Sequence, residues 1–316
     1  MRRIFKIIAA GVLCVTLLAG CQGSAGLQET EMVQGGGAET AETEEGRLAL
    51  ADKKAILLVS FGTSYSDTRE KTIEQIAQRI TVAYPEYEMR QAYTSQMIID
   101  KLRMNTEDGF EIDNVEEAMQ KLADEGFGTI IVQPTHVMAG FEYDKMCEII
   151  SAFTDKFVQV VIGEPLLSGP DDFQAVVQSF GSELMLYNDI GTGIVLMGHG
   201  TEHSSNAVYA ELEKVFWDLG LTYYYVGTVE AEPGLAEIMD RLKETETTKV
   251  VLVPLMIVAG DHATNDMAGD DAESWKSRLE AAGYEVECTL RGMGEYMGIQ
   301  DLLLSHVQDS INRLPQ

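Results

Sequence analysis

The sequence predicts an α/β protein of two similar subdomains, each a four-stranded, mainly parallel sheet flanked by helices, with a cleft between them. Three observations predict it. Short apolar runs alternate with amphipathic segments along the chain, the pattern of parallel sheets covered on both faces. The run Gln133-Pro-Thr-His-Val-Met-Ala-Gly-Phe-Glu-Tyr-Asp-Lys-Met146 returns 120 residues later as Val253-Pro-Leu-Met-Ile-Val-Ala-Gly-Asp-His-Ala-Thr-Asn-Asp266, placing Pro134 on Pro254, Gly140 on Gly260 and Glu142 on His262. Separately, Ile56-Leu-Leu-Val-Ser-Phe-Gly-Thr63 lies over Ile194-Val-Leu-Met-Gly-His-Gly-Thr201, placing Phe61 on His199. A duplicated half-domain accounts for both pairs.

In chain order, Arg2, Arg3 and Lys6 precede an apolar stretch from Ile7 to Leu18 and then Leu18-Ala-Gly-Cys21. This is the form of a lipoprotein signal peptide, residues 1–20, with Cys21 as the acylated residue. The apolar stretch is shorter than the roughly 20 residues of a membrane span, and more than one acyl chain gives firm anchoring. The predicted location is the extracytoplasmic side of a bacterial membrane, lipid-anchored at Cys21. Residues 21–52 contain Gly35-Gly-Gly37 and Glu39-Thr-Ala-Glu-Thr-Glu-Glu45 with almost no large apolar side chains, which predicts a flexible acidic tether.

The N-terminal half is expected over 53–167 and the C-terminal half over 168–316, joined around Pro165 to Pro170. Strands are predicted near 55–60, 87–92, 128–133 and 157–162, and again near 193–198, 222–227, 248–254 and 284–288. A helix is predicted to start near Asp67, with Glu70 completing a capping box. Its apolar positions Ile73, Ile76, Ala77 and Ile80 keep helical spacing and predict a core face. Further helices are expected near 114–125, 142–153, 171–186, 205–218, 233–243, 266–282 and 296–313.

The chain's formal charge is −28. Residues 1–20 carry three cations and no anion, so their removal takes it to −31. Nucleic acid is excluded as a partner on these grounds, because its phosphates are repelled. Beyond Cys14 and Cys21, only Cys147 and Cys288 remain, without a metal or redox spacing, and whether they pair is open.

Ligands in open α/β sheets bind beyond the carboxyl ends of the strands. His136, Glu142, His199, Glu230 and His262 all follow predicted strands there. His199, Glu230 and His262 lie on three successive loops of the second half, and two imidazoles with one carboxylate suit a first-row divalent metal with open coordination positions. Neutral imidazole there also accepts protons. His136 faces Met256 in the repeat alignment and is either a cleft residue or packed. His203 is either at the mouth or exposed, and His306 lies among leucines and carries no catalytic role. Gly198-His-Gly200 lacks the lysine of a phosphate loop, and no Gly-x-Ser-x-Gly elbow occurs, so nucleotide use and serine hydrolysis are disfavoured.

Ser60-Phe-Gly-Thr-Ser64, Thr94-Ser-Gln-Met-Ile-Ile99, Met197-Gly-His-Gly200, Val226-Gly-Thr-Val-Glu230 and Pro254-Leu-Met-Ile-Val-Ala-Gly-Asp-His-Ala-Thr-Asn-Asp-Met267 occur in this order, and together they resemble the anaerobic sirohydrochlorin cobalt chelatases, the CbiK family. The resemblance, from about Lys54 to the C-terminal helix, implies a two-lobed chelatase-like fold with a tetrapyrrole cleft. It implies insertion of Co2+ into sirohydrochlorin without a nucleotide, with iron or nickel as alternative metals. By resemblance His199, His262 and Glu142 are catalytic, and His199, Glu230 and His262 hold the metal. The substrate's carboxylates then need cationic partners, for which Arg69, Arg90, Arg103 and Lys276 are candidates. An export signal departs from a cytoplasmic biosynthetic role, so the alternative expectation is an exported lipoprotein that binds haem or metal for uptake. A metallohydrolase using the same three ligands is a third reading. The sequence leaves the oligomeric state open, a homo-oligomer included.

Overall fold

The computed structural model describes residues 52–105 and 109–315. The predicted signal peptide, Cys21 and the tether up to residue 51 lie outside the described residues. No helix among the described residues is long and apolar enough to cross a membrane.

The first half runs β1 (Lys54–Ser60), α1 (Ser66–Lys71), α2 (Ile73–Ala83), β2 (Glu88–Tyr93), α3 (Gln96–Met104), β3 (Asp113–Asn114), α4 (Val115–Asp124), β4 (Thr129–Pro134), α5 (Phe141–Ser151) and β5 (Gln159–Ile162). The second runs α6 (Pro170–Glu183), β6 (Thr192–Gly198), α7 (Ala207–Asp218), β7 (Tyr224–Thr228), α8 (Leu235–Lys243), β8 (Lys249–Pro254), α9 (Trp275–Ala281), β9 (Glu285–Cys288) and α10 (Met297–Asn312). The sheets are wholly parallel, ordered β3-β2-β1-β4-β5 and β7-β6-β8-β9.

The duplication extends to register. Val59 pairs with Pro134 in the first sheet, and Met197, its repeat partner, pairs with Pro254 in the second. The bond from Thr135 N–H to the Val59 carbonyl, 2.8 Å, recurs from Leu255 to Met197 at the same length. β1 and β6 are buried on both faces, as crossover-covered strands must be. Alternate residues of β1 serve separate cores: Ile56 and Leu58 join a core that also contains Ile194, Leu196 and Val253 of the second sheet, while Leu57 and Val59 pack with α4 and α5. The two halves therefore share one apolar core.

Several elements differ from expectation. The first sheet has a fifth strand, β3, whose two residues are too few to leave an alternation pattern. Helix α3 was not anticipated; only Ile99 and Leu102 of it are buried, a weak periodic signal. Asp67 lies inside the first turn of α1, not at its cap, which is Tyr65 with no side-chain cap bond. The expected single helix breaks at Thr72, where Gly294 approaches so closely that a Cβ on it would lie 2.8 Å from Thr72 Cβ. The helix expected over 266–282 is a π-turn at Ala263–Met267 followed by α9, capped by Ser274, whose hydroxyl accepts from Ser277 N–H. Cys147 and Cys288 are free and partly buried, packed against the cores of opposite halves. Finally, α10 bridges the halves: it packs on α6 of the second, with His306 Nε2 3.0 Å from Asp172 Oδ1, and on β4, β5 and α2 of the first.

Candidate metal centre

The carboxyl ends of both sheets face the cleft. At the end of β6 the chain must turn sharply to present His199, and tight packing on either side of that residue enforces the turn. A Cβ on Gly198 would lie 2.2 Å from the Tyr209 ring. Gly200 has φ +86°, and a Cβ there would lie 2.8 Å from the Ala231 amide nitrogen, so only glycine fits. Gly200 N–H donates to the Tyr209 hydroxyl at 3.3 Å, and Glu230 N–H donates to the His199 carbonyl at 2.9 Å, which ties the first and second ligand loops together. His262 stands at the entry of the π-turn that follows β8.

The structure brings His199, Glu230 and His262 together. One ligating atom from each lies within 4.8 Å of the others, and the two imidazole rings sit 4.7 Å apart at 86°. His199 and Glu230 are exposed and His262 is partly so, leaving the group open to solvent. The outer partners assign the tautomers. His199 Nδ1 lies 2.8 Å from the Gly200 carbonyl, and His262 Nδ1 lies 2.6 Å from Asp266 Oδ2, so each Nδ1 carries a proton and donates it. Each Nε2 lone pair is thereby left for a metal or a proton.

Glu142 is not drawn into this group. It lies across the cleft at the start of α5, with Oε2 buried and unpartnered. The repeat explains its place: Ser95 N–H donates to the Phe61 carbonyl as Glu230 N–H does to His199, so the first half presents Phe61, Ser95 and Glu142 where the second presents the ligand triad.

Two contacts span the cleft. Tyr65 O–H donates to Asp261 Oδ1 at 3.1 Å, and burial together with this bond raises the Tyr65 pKa and keeps the phenol protonated. His203 Nε2 lies 3.4 Å from Asp144 Oδ2, with its ring edge-on to Phe141 at 4.9 Å. Tyr65 and His203 occupy equivalent positions, as do Phe141 and Asp261, so the contacts are repeat mates. Sequence reasoning missed Tyr65, Asp261, Asp144 and Asp266. Tyr65 was within reach by extending the first alignment to His203, Asp261 by its place beside His262 in the repeat, and Asp266 by its helical spacing of four from His262, whereas Asp144, which aligns with Thr264, carries no such signal.

A family model described as cobalt chelatase (CbiK) matches residues 54–312. The chain belongs to the CbiK cobalt chelatase family. Two relatives agree: it is 38% identical over 260 residues to sirohydrochlorin cobaltochelatase of Salmonella typhimurium, covering 82% of this chain and 97% of that protein. It is 33% identical over 264 residues to sirohydrochlorin cobaltochelatase CbiKC of Nitratidesulfovibrio vulgaris, covering 83% and 92%. Among solved structures it is similar to the sirohydrochlorin chelatase SirB of Bacillus subtilis subspecies spizizenii in complex with cobalt, with a TM-score of 0.57 at 12% identity over 83% of this chain and 97% of that one. SirB from Bacillus subtilis with Fe3+ gives a TM-score of 0.56 at 13% identity, covering 82% and 95%. At such identities SirB attests the shared fold.

Within this CbiK-family fold, His136 is a packed histidine. Both ring nitrogens are buried without a partner, and burial pushes its pKa down to about 4. In the unfolded chain the ring takes a proton below about pH 6.5. The unfolded state therefore binds more protons between those values, and stability present above pH 6.5 is lost as pH falls toward 4, by up to about 3 kcal/mol. His136→Met, which installs the residue of its repeat mate Met256, is expected to remove that loss. Thermal melts from pH 7 to 4.5 check it, and parallel wild-type and variant profiles would contradict it.

Proposed function

We propose that the protein inserts a divalent metal, Co2+ foremost, into sirohydrochlorin without nucleotide hydrolysis. The observation that carries this reading is the convergence of His199, Glu230 and His262 at the cleft edge, with both Nε2 atoms free, in a chain of the cobalt chelatase family. The metal ion is a substrate, received by two imidazoles and a carboxylate that leave coordination positions open for pyrrole nitrogens. As those nitrogens replace protein ligands, two N–H protons must leave the macrocycle, and the released imidazoles accept them. Glu142, across the cleft, adds negative charge that favours the arriving dication and any imidazolium formed. Binding both substrates in one orientation supplies the rate enhancement, so no energy-rich cofactor is required. The full chain in detergent, mixed with sirohydrochlorin and Co2+, is expected to change the macrocycle's absorbance faster than buffer. A rate equal to buffer with Co2+, Fe2+ and Ni2+ alike would defeat the reading.

We also infer an exported lipoprotein, with signal peptide 1–20, lipid at Cys21 and tether to residue 52, supported by Leu18-Ala-Gly-Cys21 and its basic start. Cys21→Ala is expected to move the protein out of the membrane pellet after expression in a bacterial host, and unchanged partition would count against anchoring. Anchoring favours a second use of the same cleft, capture of haem or metal outside the cytoplasm. Stoichiometric capture with no insertion would establish that use in place of chelation.

A further inference from the structure

Sirohydrochlorin is a polycarboxylate, and a chain of charge −28 repels it at long range, so recognition needs local cations. The structure engages all four cations that the sequence offered. Arg69 is buried, with Nε 2.9 Å from Glu74 and its guanidinium 3.8 Å over the Phe110 ring, and its Nη1, although unpartnered, is shielded from solvent. Arg90 pairs with Glu88 and Glu125, Arg103 with Glu117, and Lys276 with Asp270.

Lys101 is differently placed. It is exposed on α3, and its ammonium lies 5.6 Å from the centroid of the Tyr65 ring, with no carboxylate in ion-pair range among the described residues. Tyr65 in turn reaches across the cleft to Asp261, the residue before His262. One helical turn before Lys101, on the same side of α3, Met97 is 78% exposed, and Phe61, the repeat mate of His199, is 46% exposed. Phe61, Tyr65, Met97 and Lys101 thus combine uncovered apolar surface with a positive charge that no described carboxylate pairs, on the lobe opposite the candidate metal group. The rim of a carboxylated tetrapyrrole has the complementary make-up, an apolar ring edge carrying short anionic arms.

We propose that this patch seats one edge of the macrocycle, with Lys101 pairing a peripheral carboxylate. The inference rests on the tetrapyrrole reading above and deepens it: the second half holds the metal and the first half holds the substrate's acidic rim. Lys101 acts on binding and not on the metal or the pyrrole protons.

With the full chain in detergent and saturating Co2+, Lys101→Ala is expected to raise KM for sirohydrochlorin about fivefold, the upper range for a solvent-exposed ion pair. Lys101→Glu raises it further, Lys101→Arg restores it, and kcat stays within about twofold throughout. The rise of KM with ionic strength should be shallower in Lys101→Ala than in wild type. Lys54→Ala is the control, since Lys54 opens β1 at the end remote from the cleft, with its ammonium over Tyr87. A wild-type KM in Lys101→Glu, or a fall in kcat at constant KM, overturns the proposal while leaving chelation intact. If wild type inserts no metal, tetrapyrrole fluorescence titrations without metal decide: weaker binding by Lys101→Glu upholds the patch, and equal or absent binding removes it.

Discussion

His199→Ala combined with His262→Ala is expected to reduce metal insertion to the rate of buffer, a loss of at least about 10²-fold by the usual contribution of a positioned proton acceptor alone. The effect is large because the two side chains serve two purposes. Their Nε2 atoms are the only nitrogen donors of the ligand group, and without them Glu230 remains as a lone carboxylate, a poor holder of a borderline metal. On the proposed reading they are also the acceptors for protons leaving the macrocycle. Their exposure means that removal leaves no cavity in the core, so the variant should melt near the wild-type temperature. Initial rates with sirohydrochlorin and Co2+, paired with a thermal melt, check both parts. A folded double variant that retains wild-type turnover would place the chemistry elsewhere.

Asp266→Ala is expected to weaken Co2+ binding by about 10- to 100-fold, the common cost of removing a carboxylate behind a metal-binding histidine. The 2.6 Å contact between His262 Nδ1 and Asp266 Oδ2 keeps the proton on Nδ1, so Nε2 stays the donor atom, and it fixes the orientation of the ring. At His199 the same task falls to the Gly200 carbonyl, which no side-chain change removes. Asp266 is therefore the accessible handle on ligand orientation. Competition with a metallochromic dye measures the affinity, and a change below twofold would show that the π-turn backbone alone orients the ring.

Most of the fold was legible because its signals are local or repeated. Strands buried on both faces read as apolar runs, and the Pro254 and Gly260 landmarks carried the register across from Pro134 and Gly140. The candidate metal group His199, Glu230 and His262 was legible for the same reason, each residue following a strand directly on its own loop. What escaped depends on distant partners. The break at Thr72 lies where Gly294, more than two hundred residues away, packs against it, and β3 exists only because two residues reach the edge of β2. Tyr65 reads as an ordinary helix-cap neighbour until Asp261 faces it across the cleft. The cations show the same limit: composition offers Arg69, Arg90, Arg103 and Lys276 equally, and only packing reveals that each is already engaged.

The return of α10 to the first lobe has a consequence for how the polypeptide is made. Leu303 and Val307 of α10 are fully buried, and α10 follows β4 by more than 160 residues and α2 by more than 210, although it packs on both. Until they emerge, the lobe translated first presents an uncovered greasy seam and depends on partners with very large sequence separation, an ordering that slows maturation and invites aggregation. Truncation before residue 297 should thus uncover apolar surface in both lobes, on β4, β5 and α2 of the first and on α6 of the second.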